Sequence, residues 1–216
     1  MLKWKSIFVA AAIASGMVTS ASATVITYSL TNDFCTGTCG TGPFGTVTVT
    51  SISATQVAVN LTLKAGEAFV RTGAGDSLLF DLDGDPTISV TNLTSGFSAT
   101  QTTSGASLIH AGASGDWEYA IDCTGCAKGA SGGIVGPLNF NITVASGITP
   151  LNFIKNNDNL FFAADIQGTT GNTGVVAAPV ATPVPPPHRV PEPATMTILG
   201  AGLVALGLAR RRRALQ

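Results

Sequence analysis

The chain has 216 residues, only 11% of them charged, and a formal net charge of −1. Between residues 24 and 209 five basic residues face all twelve acidic ones, which excludes the basic face that nucleic-acid binding requires. So few charges, together with 25 glycines, also exclude a long solvated helical bundle.

The N-terminus reads in three parts. Lys3 and Lys5 form a basic head, Ile7 to Val18 is an uncharged apolar run, and Ala21-Ser22-Ala23 places small residues at the −3 and −1 positions of a cleavage site. This pattern predicts a signal helix over residues 1–23, removed by signal peptidase at Ala21/Ala23 to leave a chain starting at Thr24.

Residues 24–174 read as one β-rich domain, long enough for a core of its own. Thr46–Ile52 alternates strictly, and Val57–Leu63 alternates again with Val57, Val59, Leu61 and Leu63 on one face. A short Ser53-Ala54-Thr55 connection separates them, which predicts an antiparallel hairpin. Further strand patterns fall at Val25–Leu30, Leu78–Leu82, Thr87–Thr91, Ser107–His110, Trp117–Cys123, Leu138–Val144 and Leu160–Ile166, punctuated by Gly, Asn, Asp and Ser. The expected fold is all-β, an antiparallel two-sheet sandwich of jelly-roll type. An immunoglobulin-like order is the alternative, and the cysteine spacing does not suit it.

Several local patterns in this domain carry chemistry. Cys35, Cys39, Cys123 and Cys126 form two close pairs, and an exported chain oxidises them by default. Proximity favours two local disulfides; long-range pairing, a zinc site or a redox Cys123–Cys126 pair are the alternatives. Asp81, Asp83 and Asp85 offer hard oxygen ligands for calcium, but Pro86 and Asn92 stand where an EF-hand needs glycine and glutamate. The better expectation is a hairpin turn over Asp83–Pro86. Alternation places Trp117 and Tyr119 on one face, as core or as a sugar-binding platform, with Asp116 and Glu118 on the other. Gly129-Ala-Ser131-Gly-Gly133 imitates a nucleophile elbow but lacks the strand-to-helix setting. No cofactor and no catalytic residue is expected.

Residues 175–189 are rich in proline and read as a semi-extended spacer. Val190-Pro191-Glu192-Pro193 follows, then an apolar stretch over residues 194–209, then Arg210, Arg211, Arg212 and Arg213. A helix of that length rises ~24 Å, slightly short of a hydrocarbon core. The arginines stay on the cytoplasmic side and hold the domain outside.

This order of parts resembles the PEP-CTERM sorting signal of Gram-negative bacteria, at residues 190–213. The segments around Cys35–Gly45, Ile121–Cys126 and Phe162–Gly174 are similar to uncharacterised members of that group. The resemblance implies processing by an exosortase near Pro-Glu-Pro, transient membrane attachment through the C-terminal helix, and a place at the cell envelope or in the extracellular matrix. It implies association with exopolysaccharide or biofilm. The expected role is non-catalytic, structural or adhesive, with a carbohydrate- or calcium-binding module as the alternative and a hydrolase behind both.

Overall fold

The computed structural model describes residues 23–72, 76–103, 108–127 and 129–185, with residues 203, 210 and 211 besides. The expected signal helix, but for Ala23, and the expected transmembrane helix over 194–209, but for Leu203, lie outside the described residues. Among the described residues no helix is long and apolar enough to cross a membrane.

In chain order the strands are β1 (Val25–Leu30), β2 (Asn32–Asp33), β3 (Gly45–Ser53), β4 (Gln56–Leu63), β5 (Ala68–Arg71) and β6 (Leu78–Leu82). Then come β7 (Ser89–Thr91), β8 (Ser98–Gln101), β9 (Ile109–His110), β10 (Asp116–Trp117), β11 (Tyr119–Asp122) and β12 (Gly129–Ile134). The last five are β13 (Leu138–Thr143), β14 (Phe153–Ile154), β15 (Phe162–Gln167), β16 (Thr173–Ala178) and β17 (Ala181–Val184). One sheet runs β17–β1–β3–β4–β13–β7; the other runs β12–β5–β15–β6–β11–β8, with β16 and β14 joined to β15 and β6. All pairings are antiparallel, as an all-β sandwich requires. The order differs from the expected jelly roll: β1, β3 and β4 lie side by side in one sheet, with β2 joining the other sheet between β1 and β3.

The β3–β4 hairpin forms as the alternation predicts. Val47 faces Leu61 and Val49 faces Val59, and all four are buried. Their inner face meets Phe80, Tyr119, Ile121, Phe162 and Val176 of the other sheet in one core. Phe80 is its hub, with ring centroids 5.4 Å from Tyr119, 5.6 Å from Phe153 and 6.2 Å from Phe162.

The central strands of the second sheet, β6, β11, β15 and β16, are buried on both faces. Leu79, Trp117, Ala120, Ala163, Val175 and Ala177 form a separate outer cluster. Strands covered on both sides read as continuous apolar runs rather than as alternation. That explains one correction. Val175-Val-Ala-Ala178 lies in β16, paired along its length with β15, and is not spacer. β17 follows and pairs with β1, so the domain continues past residue 174 to Val184.

A second correction concerns Asp83–Pro86. It is a crossover between sheets, since β6 pairs with β15 and β11 while β7 pairs with β13. Both edges of β6 are taken, leaving no place for a hairpin partner.

Both local disulfides form, Cys35–Cys39 and Cys123–Cys126, and among the described residues no cysteine is free. Asp33 organises the first loop: its carboxylate accepts from the Cys35 amide at 2.9 Å, the Cys39 amide at 3.0 Å and the Thr38 hydroxyl at 2.7 Å. The loop then docks on the β15–β16 turn, where the Asn172 amide donates to the Thr38 carbonyl at 2.9 Å. A Cβ on Gly168 would stand 2.0 Å from the Cys39 carbonyl oxygen, so only glycine permits this approach. Asp33, Cys35 and Cys39 also group ligand-type atoms, but both sulfurs are already bonded to each other.

A candidate functional site in an acidic cavity

β6 carries Asp81 just before its end, and the chain turns at Asp83-Gly84 to bring Asp85 back over it. Asp81 is only 8% exposed, and its Oδ1 accepts the Glu118 amide at 2.8 Å. That bond fixes the step between β10 and β11. On the other side of the step, β9 and β10 pair so that Asp116 faces His110, and their side chains meet at 2.8 Å.

Asp81, Asp85, Asp116 and Glu118 thereby line one cavity of about 280 Å³. Lys155, Asn156 and Asn157 also line it, together with the exposed apolar side chains of Leu108 and Ile154. Asn156 is structural: its amide donates to the Ser114 carbonyl at 2.8 Å, and its oxygen accepts the Asp158 and Leu160 amides. Burial raises the Asp81 carboxyl to about 6; the Glu118 amide opposes this and the Asp85 charge adds to it. Four carboxylates against one lysine make a wall of hydrogen-bond acceptors, suited to hydroxyl donors or to a hard cation.

The three aspartates read from sequence are therefore only partly assembled. Asp81 and Asp85 converge, and Asp83 is exposed and does not line the cavity. Asp116 and Glu118, read as an outward acidic face, join them instead. Lys155 and Asn157 were not singled out; the polar run Lys155-Asn-Asn-Asp158 is the signal that marks their loop.

Trp117 and Tyr119 are not a surface platform. Both are fully buried. They also lie on opposite faces, because the chain steps at Glu118 and breaks the alternation. Trp117 sits in the outer cluster with its indole donating to Ser114 Oγ at 3.3 Å. Tyr119 sits in the main core with its hydroxyl donating to the Pro86 carbonyl at 2.6 Å. Ser131 lies inside β12 rather than at a strand-to-helix turn, so the elbow setting is missing.

Of the sorting-signal residues, Arg210 and Arg211 are described and exposed. Val190, Pro191, Glu192, Pro193, Arg212 and Arg213 lie outside the described residues. Residues 189–213 match the family described as the PEP-CTERM protein-sorting motif. No curated protein and no solved structure matches the chain.

Proposed function

From the premise that the chain carries a PEP-CTERM protein-sorting motif, which marks an exported, exosortase-processed protein of the Gram-negative cell envelope, we propose that the β domain is a non-catalytic structural or adhesive component of the outer surface or extracellular matrix, associated with exopolysaccharide. The observation that carries this reading is the sorting motif placed directly behind a disulfide-bonded β-sandwich. The domain has the makings of an exported module: two local disulfides, an acidic surface and a core closed on both faces of one sheet. The N-terminal signal peptide is removed by signal peptidase, and the C-terminal helix holds the chain at the membrane until the exosortase acts.

Intact-mass measurement of the protein recovered from envelope and medium tests the sorting step. A mature species still ending in Arg210–Arg213 and the residues behind them contradicts processing.

The acidic cavity favours a second reading, a carbohydrate- or calcium-binding module. A glycan array with and without calcium separates the two. Saturable sugar binding that disappears in Asp85→Asn and Asp116→Asn, in a protein that still folds, replaces the structural reading with the binding one.

A further inference from the structure

A second polar site lies away from the cavity, where β5 and β6 share one edge of β15. β6 pairs with Phe162 and Ala163, and β5 pairs with Ile166 and Gln167. Between these two contacts the strand carries Asp165, fully buried. Its Oδ2 is bound twice by Thr72, from the amide at 3.0 Å and from the hydroxyl at 2.6 Å. Its amide donates to the Asp76 carbonyl at 3.1 Å. Its Oδ1 has no hydrogen-bond partner. Ser77, beside Asp76 and also fully buried, leaves its Oγ unpartnered as well. Asp122 lies next in the β11 ladder, one residue beyond the Ile121–Leu78 pair, and is 5% exposed.

Two buried, unsatisfied oxygens at one place require an explanation, because each costs about 1–3 kcal/mol. Burial raises the Asp165 carboxyl against its two Thr72 hydrogen bonds, but protonating Asp165 still leaves the Ser77 Oγ without a partner. The surrounding charge points elsewhere. Among the described residues, the charges acting on Asp76 are those of Asp122 and Asp165 and the cation of Arg71, whose Nε stands 3.2 Å from Asp122. Burial pushes the Asp76 carboxyl up to about 6; Asp122 and Asp165 add to that rise and Arg71 opposes it. Among the described residues, three carboxyl groups against one guanidinium, hard oxygen donors and two buried oxygens without a partner describe a divalent-cation site.

We propose that the fork between β5, β6 and β15 binds calcium, through the carboxylates of Asp165, Asp76 and Asp122 and the hydroxyl of Ser77. The three carboxylates do not all stand within 4.8 Å of one another, so binding draws them together. Asp76, half-buried and two residues before β6, is the ligand that moves. Calcium suits this better than magnesium, since it accepts irregular coordination while magnesium demands near-ideal octahedral geometry. Bound there, it ties the start of β6 to β11 and β15 and so clamps the middle of the second sheet.

The test uses the mature protein at pH 8, stripped with EDTA and titrated with calcium chloride or magnesium chloride. Half-saturation is expected at ~0.1–1 mM, the range of extracellular calcium modules. At 10 mM calcium the Tm should rise by roughly 3–10 °C, with a smaller response to magnesium. Asp76→Asn, at a position that is not deeply buried, should abolish the rise. Asp85→Asn, in the acidic cavity, should leave it intact. No calcium-dependent rise in Tm overturns the proposal. So does a rise that survives Asp76→Asn and vanishes in Asp85→Asn, which assigns the ion to the cavity instead.

Discussion

Glu67 gives the sharpest test of the electrostatics. It lies just before β5, is 1% exposed, and neither of its carboxylate oxygens has a hydrogen-bond partner. Burial raises its carboxyl from 4.5 to about 7, against the Lys64 cation, which lowers it, and with the Asp33 carboxylate, which adds to the rise. The folded state therefore holds this proton more tightly than the unfolded chain. Stability from this group is greatest below pH 4.5, falls as pH rises from 4.5 to about 7, and is constant above that. The difference between those two values corresponds to about 3 kcal/mol. Glu67→Gln removes the titration and keeps the shape. Urea unfolding of both proteins from pH 4 to pH 8.5 should give similar stabilities at the acid end. Above pH 7 the variant should be more stable by about 3 kcal/mol. Asp76, Asp81 and Asp165 are shifted in the same direction, but they are present in both proteins and cancel in the difference. A difference that does not change with pH refutes the reasoning.

Two substitutions probe packing. Phe80→Ala removes the ring at the centre of the aromatic cluster, and chemical denaturation should show a loss of about 3–5 kcal/mol; a loss below about 1 kcal/mol would mean that the two sheets do not meet there. Gly168→Ala sets a Cβ against backbone at 2.0 Å and must push the Cys35–Cys39 loop off the β15–β16 turn. Faster reduction of that disulfide, with Cys123–Cys126 unchanged, is the expected readout by mass spectrometry.

How much of this was legible in the sequence depends on how each strand is covered. β3 and β4 have one face in the core and one in solvent, so Val47, Val49, Val57, Val59 and Leu61 alternate with polar residues and reveal the hairpin, its register and its buried face. β6, β15 and β16 are covered on both faces, and their period-2 signal is erased. Leu78-Leu-Phe80 still reads as a strand because its residues are large. Val175-Val-Ala-Ala178 does not, because its residues are small and proline follows at once. The cavity was legible in parts: Asp81 with Asp85, and Asp116 with Glu118, were each visible as local acid pairs. Their meeting depends on one hydrogen bond, from the Glu118 amide to Asp81, between residues 37 apart. Trp117 and Tyr119 were misplaced by the same step, since an irregularity at one residue reverses every later assignment of faces. The fork at Asp165 left no local sign, because its partners come from β5, β6 and β11.

The end of the domain can be argued through to a measurement, and it bears on how the chain is processed. Beyond Gly174, β16 contributes four buried residues, Val175 to Ala178, and the strand pairs with all six residues of β15. Burying its two valines alone is worth about 3–6 kcal/mol, much of the stability of a typical domain. A chain that stops at Gly174 should therefore fail to fold. One that stops at Val180 keeps β16 and loses only β17, which is mostly exposed, so it should fold with a penalty of about 1–2 kcal/mol and an open β1 edge. One that stops at Pro185 should match the full domain. Near-UV circular dichroism and urea unfolding of the three place them in that order, and cooperative unfolding of the shortest at the full domain's midpoint defeats the argument. If the order holds, only residues 185–188 separate the last strand from the matched sorting motif. Fully extended, the chain from Val184 to Pro191 spans at most about 25 Å. The matched motif then begins close to the β17–β1 edge, where Val25, two residues past the expected signal-peptide cut, pairs with Val184. The described domain thus begins and ends at the same corner, and the matched sorting motif starts five residues beyond Val184.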